Sequence, residues 1–103
     1  MAETTIKTDS ALLKTIYGFM ISNDIETIED DYTYNMDRSD TEPTDLDVNI
    51  KFLYIALEDY TMLNLFKSER HTYIDYFGFD DTGIIIAIRT KDNYTNDYIT
   101  ISF

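Results

Sequence analysis

Apolar residues recur along the chain with two different periods, which predict helix in some stretches and strand in others. Residues 11–22 repeat apolar side chains every three or four positions, the spacing that buries one face of a helix. Ser10 can cap the first turn through its hydroxyl, and Asn23 follows as a stop signal. The pattern predicts an N-terminal helix over 11–22.

A stricter alternation follows in the middle of the chain. Every second residue from Leu46 to Tyr54 is apolar, which is typical of a half-buried strand. Thr44 and Asp47 have the spacing of a capping box, so a helix from about Asp45 is the alternative. Because five alternating pairs outweigh one four-residue pattern, we predict a strand here. Residues 55–69 place apolar side chains at intervals of three and predict a second helix.

The C-terminal third predicts a meander of three strands. Tyr73 to Phe79 and Ile84 to Thr90 flank Asp80-Asp81-Thr82-Gly83, a short turn with a glycine that can take positive φ. After a polar turn, residues 98–103 alternate to the end. Residues 24–36 carry mixed signals and residues 37–45 have the composition of a loop. The fold class predicted is α+β, with the N-terminal helix packed on an antiparallel sheet that ends in this meander.

Length and composition set the wider frame. The 103 residues suit one domain, 1–103, with a single core. A chain this short cannot cover both faces of a sheet, so the second face is expected to be partly wet or bound, which is compatible with a homodimer. The sequence has no cysteine and no apolar run near the roughly 18 residues that span a bilayer. We therefore expect a cytoplasmic protein, in the host cell if it is viral.

Catalytic and metal-binding patterns are missing from the sequence. His71 is the single histidine, no serine lies in a nucleophile context, and the three glycines are too scattered for a phosphate-binding loop. Carboxylates are numerous, but they do not follow the spacing of a calcium loop. The expectation is a protein that is not an enzyme and that needs no cofactor or metal.

The charge is concentrated in one part of the chain, which we call the acidic segment, residues 24–47. The whole chain has a net charge of −12, yet the acidic segment alone contains ten acidic residues and one base, a net charge of −9. The remaining residues carry only −3. The residues expected to bind a partner all lie in this segment: Asp24, Glu26, Glu29, Asp30, Asp31, Tyr32, Tyr34, Asp37, Asp40, Glu42, Asp45 and Asp47.

A negative field of this size repels nucleic acid and anionic membrane and attracts basic protein surfaces. On an extended strand, alternate side chains repeat at about 6.6 Å, close to two phosphate steps of ~3.4 Å along one DNA strand. Tyr32 and Tyr34 could add aromatic contact where a target stacks bases. We therefore predict a DNA-mimicking inhibitor of a nucleic-acid-binding protein, such as a nuclease, repair, restriction or CRISPR effector protein.

In size, charge and A/T-rich composition, the chain resembles the small acidic proteins that phages and mobile elements use against host restriction, repair or CRISPR nucleases. An immunity or antitoxin-type protein that neutralises a basic toxin is an alternative. A small structural or assembly subunit is another, because many aromatic residues stand at strand positions. The simplest alternative is a solvated acidic surface that serves solubility alone.

Overall fold

The computed structural model describes residues 3–29, 31–38, 40–65, 72–90 and 93–103. The elements in chain order are β1 (Glu3–Lys7), α1 (Ala11–Ser22), β2 (Thr27–Glu29), α2 (Tyr32–Asp37), α3 (Asp45–Asn64), β3 (Thr72–Asp80), β4 (Gly83–Thr90) and β5 (Asn93–Ser102). The predicted α+β class is confirmed, as is the C-terminal meander of β3, β4 and β5.

The five strands form one sheet in the order β1-β5-β4-β3-β2. Neighbouring strands are antiparallel except for β1, which runs parallel to β5, so the sheet is mixed rather than purely antiparallel. The sequence prediction missed β1 because Ile6 is its only large apolar residue. Its pairing with Ile101 joins the two ends of the chain, a contact that short-range pattern cannot reveal.

The core lies between one face of this sheet and the helices α1 and α3. Ile28, Phe77 and Ile86 pair side by side across β2, β3 and β4 and are at most 2% exposed. The two helices cover them with residues at helical spacing, which are Leu13, Ile16, Met20, Ile50, Tyr54 and Leu57. The sheet therefore has one buried face that both long helices share.

The prediction for α1 is confirmed in its extent and in its caps. Ser10 Oγ accepts a hydrogen bond of 3.2 Å from the Leu13 N–H, and Asn23 caps the other end. The predicted hairpin is also present, and Gly83 in its turn has φ of 137°. Asp80 Oδ1 accepts a 2.8 Å hydrogen bond from the Thr82 N–H and orders the turn.

The strand predicted from Leu46 to Tyr54 is wrong, because these residues belong to the 20-residue helix α3. The capping box is formed: Thr44 Oγ1 accepts from the Asp47 N–H at 3.1 Å, and the Thr44 N–H donates to Asp47 Oδ2 at 3.0 Å. The helix predicted over 55–69 is the second half of α3 as far as Asn64, and residues 66–71 lie outside the described residues.

The helix α3 has apolar side chains on two opposite sides. Ile50 and Tyr54 are buried, whereas Val48 and Phe52 are exposed. When two such stripes are read along the sequence, they interleave and imitate the period of a strand. The alternation was therefore real, but it came from a helix with two apolar faces.

Candidate functional site

The acidic segment folds into a turn, a short strand, a short helix and a loop. Asp24 and Glu26 lie between α1 and β2, and Glu29 is the last residue of β2. The helix α2 follows, and a loop leads to Asp45 and Asp47 in the first turn of α3. Because β2 is only three residues long, the expected phosphate-like repeat of about 6.6 Å along an extended strand is wrong.

Most carboxylates of this segment are accessible to a partner. Asp30 and the side chain of Tyr34 lie outside the described residues. Among the described residues, Asp47 is half-buried, and eight others are exposed, namely Asp24, Glu26, Glu29, Asp31, Asp37, Asp40, Glu42 and Asp45. The negative charge predicted from the sequence is thus presented to solvent.

Part of the acidic segment surrounds a cleft of about 500 Å³. The cleft is formed by β2, α2, the loop after α2 and the first turn of α3. Its four carboxylates are those of Glu29, Asp31, Glu42 and Asp47. Ile28, Met36 and Pro43 supply an apolar part of the lining. The cleft combines negative charge with an apolar wall, which is a suitable environment for the side chain of a lysine or arginine.

Tyr32 and Asp47 interact within this cleft. Hydrogen bonds from the Thr44 backbone N–H and hydroxyl hold the pKa of Asp47 below its ordinary value, and a bond from Tyr32 adds to the effect. Burial raises the pKa of the Tyr32 hydroxyl, and the negative charge of Asp47 beside it raises it further. The pair therefore consists of a carboxylate and a neutral phenol at neutral pH.

The capping box explains why Asp47 lies in the cleft. Its carboxylate is held by Thr44 at the start of α3, and its remaining hydrogen bond reaches Tyr32 at the start of α2. A second link between the same two helices is the ion pair of Asp37 with Lys51, in which Lys51 Nζ lies 3.0 Å from Asp37 Oδ1. These contacts join α2 to α3, and Tyr32 and Asp47 of the first contact both line the cleft.

The other described acidic residues of the segment do not line this cleft. Asp24, Asp37, Asp40 and Asp45 lie elsewhere on the segment, and Glu26 borders a separate depression of about 310 Å³ with Tyr76 and Asp80. The structure thus brings together four of the predicted carboxylates and Tyr32, and distributes the other described carboxylates over the neighbouring surface.

The described residues offer no grouping of three or more acidic, histidine or cysteine side chains that could hold a metal ion. His71 lies outside them. Hydrogen bonds from the Thr82 hydroxyl and N–H lower the pKa of Asp80. This carboxylate therefore stabilises the hairpin turn. In the part of the chain that is described, no helix is both long and apolar enough to cross a membrane.

The sequence prediction missed two features of the surface. Asn35, Met36 and Thr41 also line the cleft; the sequence carries no signal for them, because the capping box concerns only Thr44 and Asp47. On the sheet face opposite the helices, Tyr76, Ala87 and Tyr98 pair across three strands. Burial, followed by a hydrogen bond with Tyr98, raises the pKa of Tyr76.

The chain was compared with protein-family models, with curated proteins and with solved structures, and none of them matches it.

Proposed function

We propose that this protein is a non-enzymatic inhibitor that binds the basic surface of a nucleic-acid-binding protein through its acidic segment. The proposal includes action in the cytoplasm, as suits a protein of phage or mobile-element type. The observation that carries it is the exposure of eight carboxylates in a segment of net charge −9. Crowded like charges lower the stability of a fold, so their concentration in one segment needs a reason, and a basic partner provides one.

The cleft supports a specific way of binding. A lysine or arginine of the target would insert its aliphatic stem along Met36 and Pro43. Its cationic head would then lie among the carboxylates of Asp31, Glu42 and Asp47, where charge-assisted hydrogen bonds are stronger than neutral ones. The exposed carboxylates outside the cleft would contribute long-range attraction and faster association.

A nucleic-acid-binding protein is the favoured target because its phosphate-binding groove is rich in lysine and arginine. Mimicry in this form does not depend on a regular phosphate-like repeat. It requires only that carboxylates from a strand, a helix and a loop meet the cations of the groove. Such an inhibitor would occupy the groove and exclude the nucleic acid.

The immunity-type alternative keeps a specific point in its favour. The carboxylates are distributed over short elements and do not follow the spacing of a phosphate backbone. This arrangement suits a protein that covers any cationic surface of a toxin, including one beside its active site. The two functions differ in competition, because only a groove-binding inhibitor is displaced by DNA or RNA.

The test uses the tagged full chain to capture proteins from a host lysate at low salt, followed by elution with salt or with duplex DNA. We expect DNA to release a nucleic-acid-binding protein at concentrations that saturate its groove. Asp31→Asn combined with Glu42→Gln should weaken capture by about 10-fold or more, because two charge-assisted bonds are lost. The matched control is Asp9→Asn with Asp81→Asn, which removes the same charge from exposed sites elsewhere.

Three outcomes would contradict the proposal. The first is that no nucleic-acid-binding protein is captured. The second is that both double variants weaken capture equally, which would mean that binding depends on net charge and not on the cleft. The third is a captured protein that DNA cannot displace, which would favour the immunity-type function. Binding should also weaken steeply as salt rises, since exposed charges are screened beyond about 8 Å at physiological ionic strength.

A further inference from the structure

The strand β2 forms one edge of the sheet, and part of its backbone points away from its single neighbour β3. The Phe79 N–H donates to Glu26 O at 2.8 Å, which makes these two residues a hydrogen-bonded pair of the antiparallel ladder. Such pairs alternate with pairs that exchange no hydrogen bond. In the register of β2 with β3, Thr27 and Glu29 belong to the second kind. Their backbone N–H and C=O groups therefore face the open edge.

These two N–H and two C=O groups are accessible to a partner. Thr27 and Glu29 are both exposed. Within the described part of the chain, neither makes a backbone hydrogen bond on the open side of β2. Unpaired donors and acceptors along a sheet edge are a template for a further strand. An extended segment of another protein can therefore be added to β2 through main-chain hydrogen bonds.

The cleft lies along this open edge. Side chains of consecutive strand residues point to opposite faces of a sheet, yet Thr27, Ile28 and Glu29 all line the cleft. A cavity that contacts three consecutive residues of an edge strand must border the edge itself. The space beside β2, of about 500 Å³, is therefore where the backbone of an added segment would lie.

A second cavity of about 310 Å³ borders β2 from the sheet face opposite the helices, and we call it the sheet depression. Thr27 lines both cavities. Gly78 is paired with Thr27, and because it has no side chain it leaves space above the sheet. Glu26 and Asp80 give the depression negative charge, and Tyr76 gives it an aromatic wall. Hydrogen bonds within the hairpin turn lower the pKa of Asp80, so its carboxylate is charged at neutral pH.

We propose that β2 accepts, as a further strand, an extended segment of the target that carries two adjacent basic residues. Adjacent side chains of such a segment point to opposite faces of the sheet. The basic side chain beside Ile28 enters the cleft toward Glu42 and Asp47. The basic side chain beside Thr27 extends across it into the sheet depression, toward Glu26. This inference rests on the proposed function, because it specifies which part of the target the acidic segment binds.

The charge around β2 favours a basic segment over a second copy of this chain. Glu26 and Glu29 lie at the two ends of β2, within the acidic segment of net charge −9. Pairing of two copies through β2 would bring these charges to a strand spacing of about 4.8 Å, well inside the screening length of about 8 Å. Charged side chains on a short edge strand oppose pairing between like copies. The same charges attract a strand that carries lysine or arginine.

Two peptides test whether the basic residues must be adjacent. Fluorescein-labelled Thr-Val-Lys-Arg-Val-Thr should bind the full chain at low salt with a Kd on the order of 10–100 µM. Its isomer Thr-Lys-Val-Arg-Val-Thr has the same composition and charge, but both of its basic side chains lie on one face of a strand. The isomer should bind about 10-fold more weakly, because it can place a cation in only one of the two cavities. Fluorescence anisotropy measures both affinities.

Methylation of the peptide backbone tests the strand pairing. The N–H groups of successive residues in an edge-paired strand point alternately toward and away from the neighbouring strand. N-methylation at one of the two adjacent basic residues should therefore weaken binding by about 10-fold or more, because a main-chain hydrogen bond is lost and the methyl group enters the edge. N-methylation at the other basic residue should change the affinity by less than about 2-fold, and it is the matched control.

Variants of the protein locate the added strand on β2. Thr27→Pro removes an N–H from the open edge at the first residue of the strand, a position that tolerates proline, and should weaken peptide binding by about 10-fold. Thr27→Val retains this N–H and should bind like the wild type. Glu26→Gln should weaken binding by about 3-fold or more. Asp24→Asn removes the same charge outside both cavities and should have a smaller effect.

Three results would overturn the inference: equal affinity for the two peptide isomers, equal effects of N-methylation at both basic residues, or wild-type binding by Thr27→Pro. The methylated peptides decide the question if circular dichroism shows that Thr27→Pro is unfolded. Capture of a DNA-displaceable protein that Thr27→Pro does not weaken would exclude the edge and keep the proposed function. Peptide binding as expected, without such capture, would support the edge and exclude the proposed function.

Discussion

The C-terminal meander and the acidic segment show how differently two parts of one small protein can be built. The meander consists of strands of nine, eight and ten residues, and its core residues Phe77, Ile84 and Ile86 are fully buried. The acidic segment has a strand of three residues and a helix of six, and most of its described carboxylates are exposed. One region supplies apolar burial and the other supplies charge.

The acidic segment nevertheless depends on the rest of the protein for its shape. Ile28 anchors it in the core, and Tyr32 packs against that core at the start of α2. Asp47 and the Asp37–Lys51 ion pair hold it to α3. Eight of the segment's described carboxylates are exposed to solvent. Crowded charge is therefore tolerated here, whereas in the meander it would disrupt the core.

The largest effect on stability is expected from Gly83→Ala in the hairpin turn. Gly83 has φ of 137°, and an added Cβ would lie 2.0 Å from the Ile101 backbone oxygen. The substitution combines backbone strain with a clash against β5, so it should lower the free energy of unfolding by about 3 kcal/mol or more. Thermal unfolding should show a fall in Tm of at least ~12 °C for a chain of this size.

Gly18→Ala provides the control for this substitution. An added Cβ at Gly18 meets nothing within 4 Å, and alanine favours a helix interior by up to about 1 kcal/mol. The Tm should therefore rise slightly. A similar loss at both positions would mean that the hairpin turn is not specially constrained.

A smaller effect is expected where the acidic segment joins α3. Thr44→Ala removes the N-cap side chain and should lower the free energy of unfolding by about 1 kcal/mol. Thr15→Ala is the control, because the Thr15 hydroxyl bonds only to Ala11 O on an exposed face of α1. Urea unfolding of both variants measures the difference. Equal values would show that the capping box contributes nothing beyond an ordinary surface threonine.

The same cap predicts a dependence on pH. The pKa of Asp47 is lower in the folded protein than its ordinary value, so its stabilising contribution is fully present above that ordinary value. It is lost as the pH falls through the lowered pKa. The stability difference between the wild type and Asp47→Asn should therefore be constant near pH 7 and shrink below about pH 4. A difference that stays constant to pH 2 would contradict the assignment.

The smallest effect on stability is expected from Asp31→Asn with Glu42→Gln in the cleft. Both carboxylates are exposed, and their removal relieves like-charge repulsion. The free energy of unfolding, measured with urea, should rise by less than ~0.5 kcal/mol. In the control variant, Asp9→Asn with Asp81→Asn, the free energy of unfolding should change by no more than this amount. A marked loss in the cleft variant would show that these carboxylates support the fold.

Most of the fold could be predicted wherever the determinants are local. The spacing of α1, its Ser10 cap and the Gly83 turn each depend on residues that are neighbours in sequence. The position of β1 could not be predicted, because it pairs with residues at the opposite end of the chain. Of the site, the sequence indicated the charge and its location, but not the cleft, which requires β2, α2 and α3 to be placed together.

The sequence by itself determined that the protein is acidic, that its charge lies in residues 24–47, and that a helix and a C-terminal meander form. Only the tertiary structure decided whether residues 45–54 form a helix or a strand. Their apolar positions fit both a strand and a helix with two apolar faces. The helix is the form in which Thr44 caps the chain and Ile50 and Tyr54 reach the core. When a helix is apolar on two sides, its sequence pattern cannot be distinguished from that of a strand. Burial of one of the two sides in the core selects the helix.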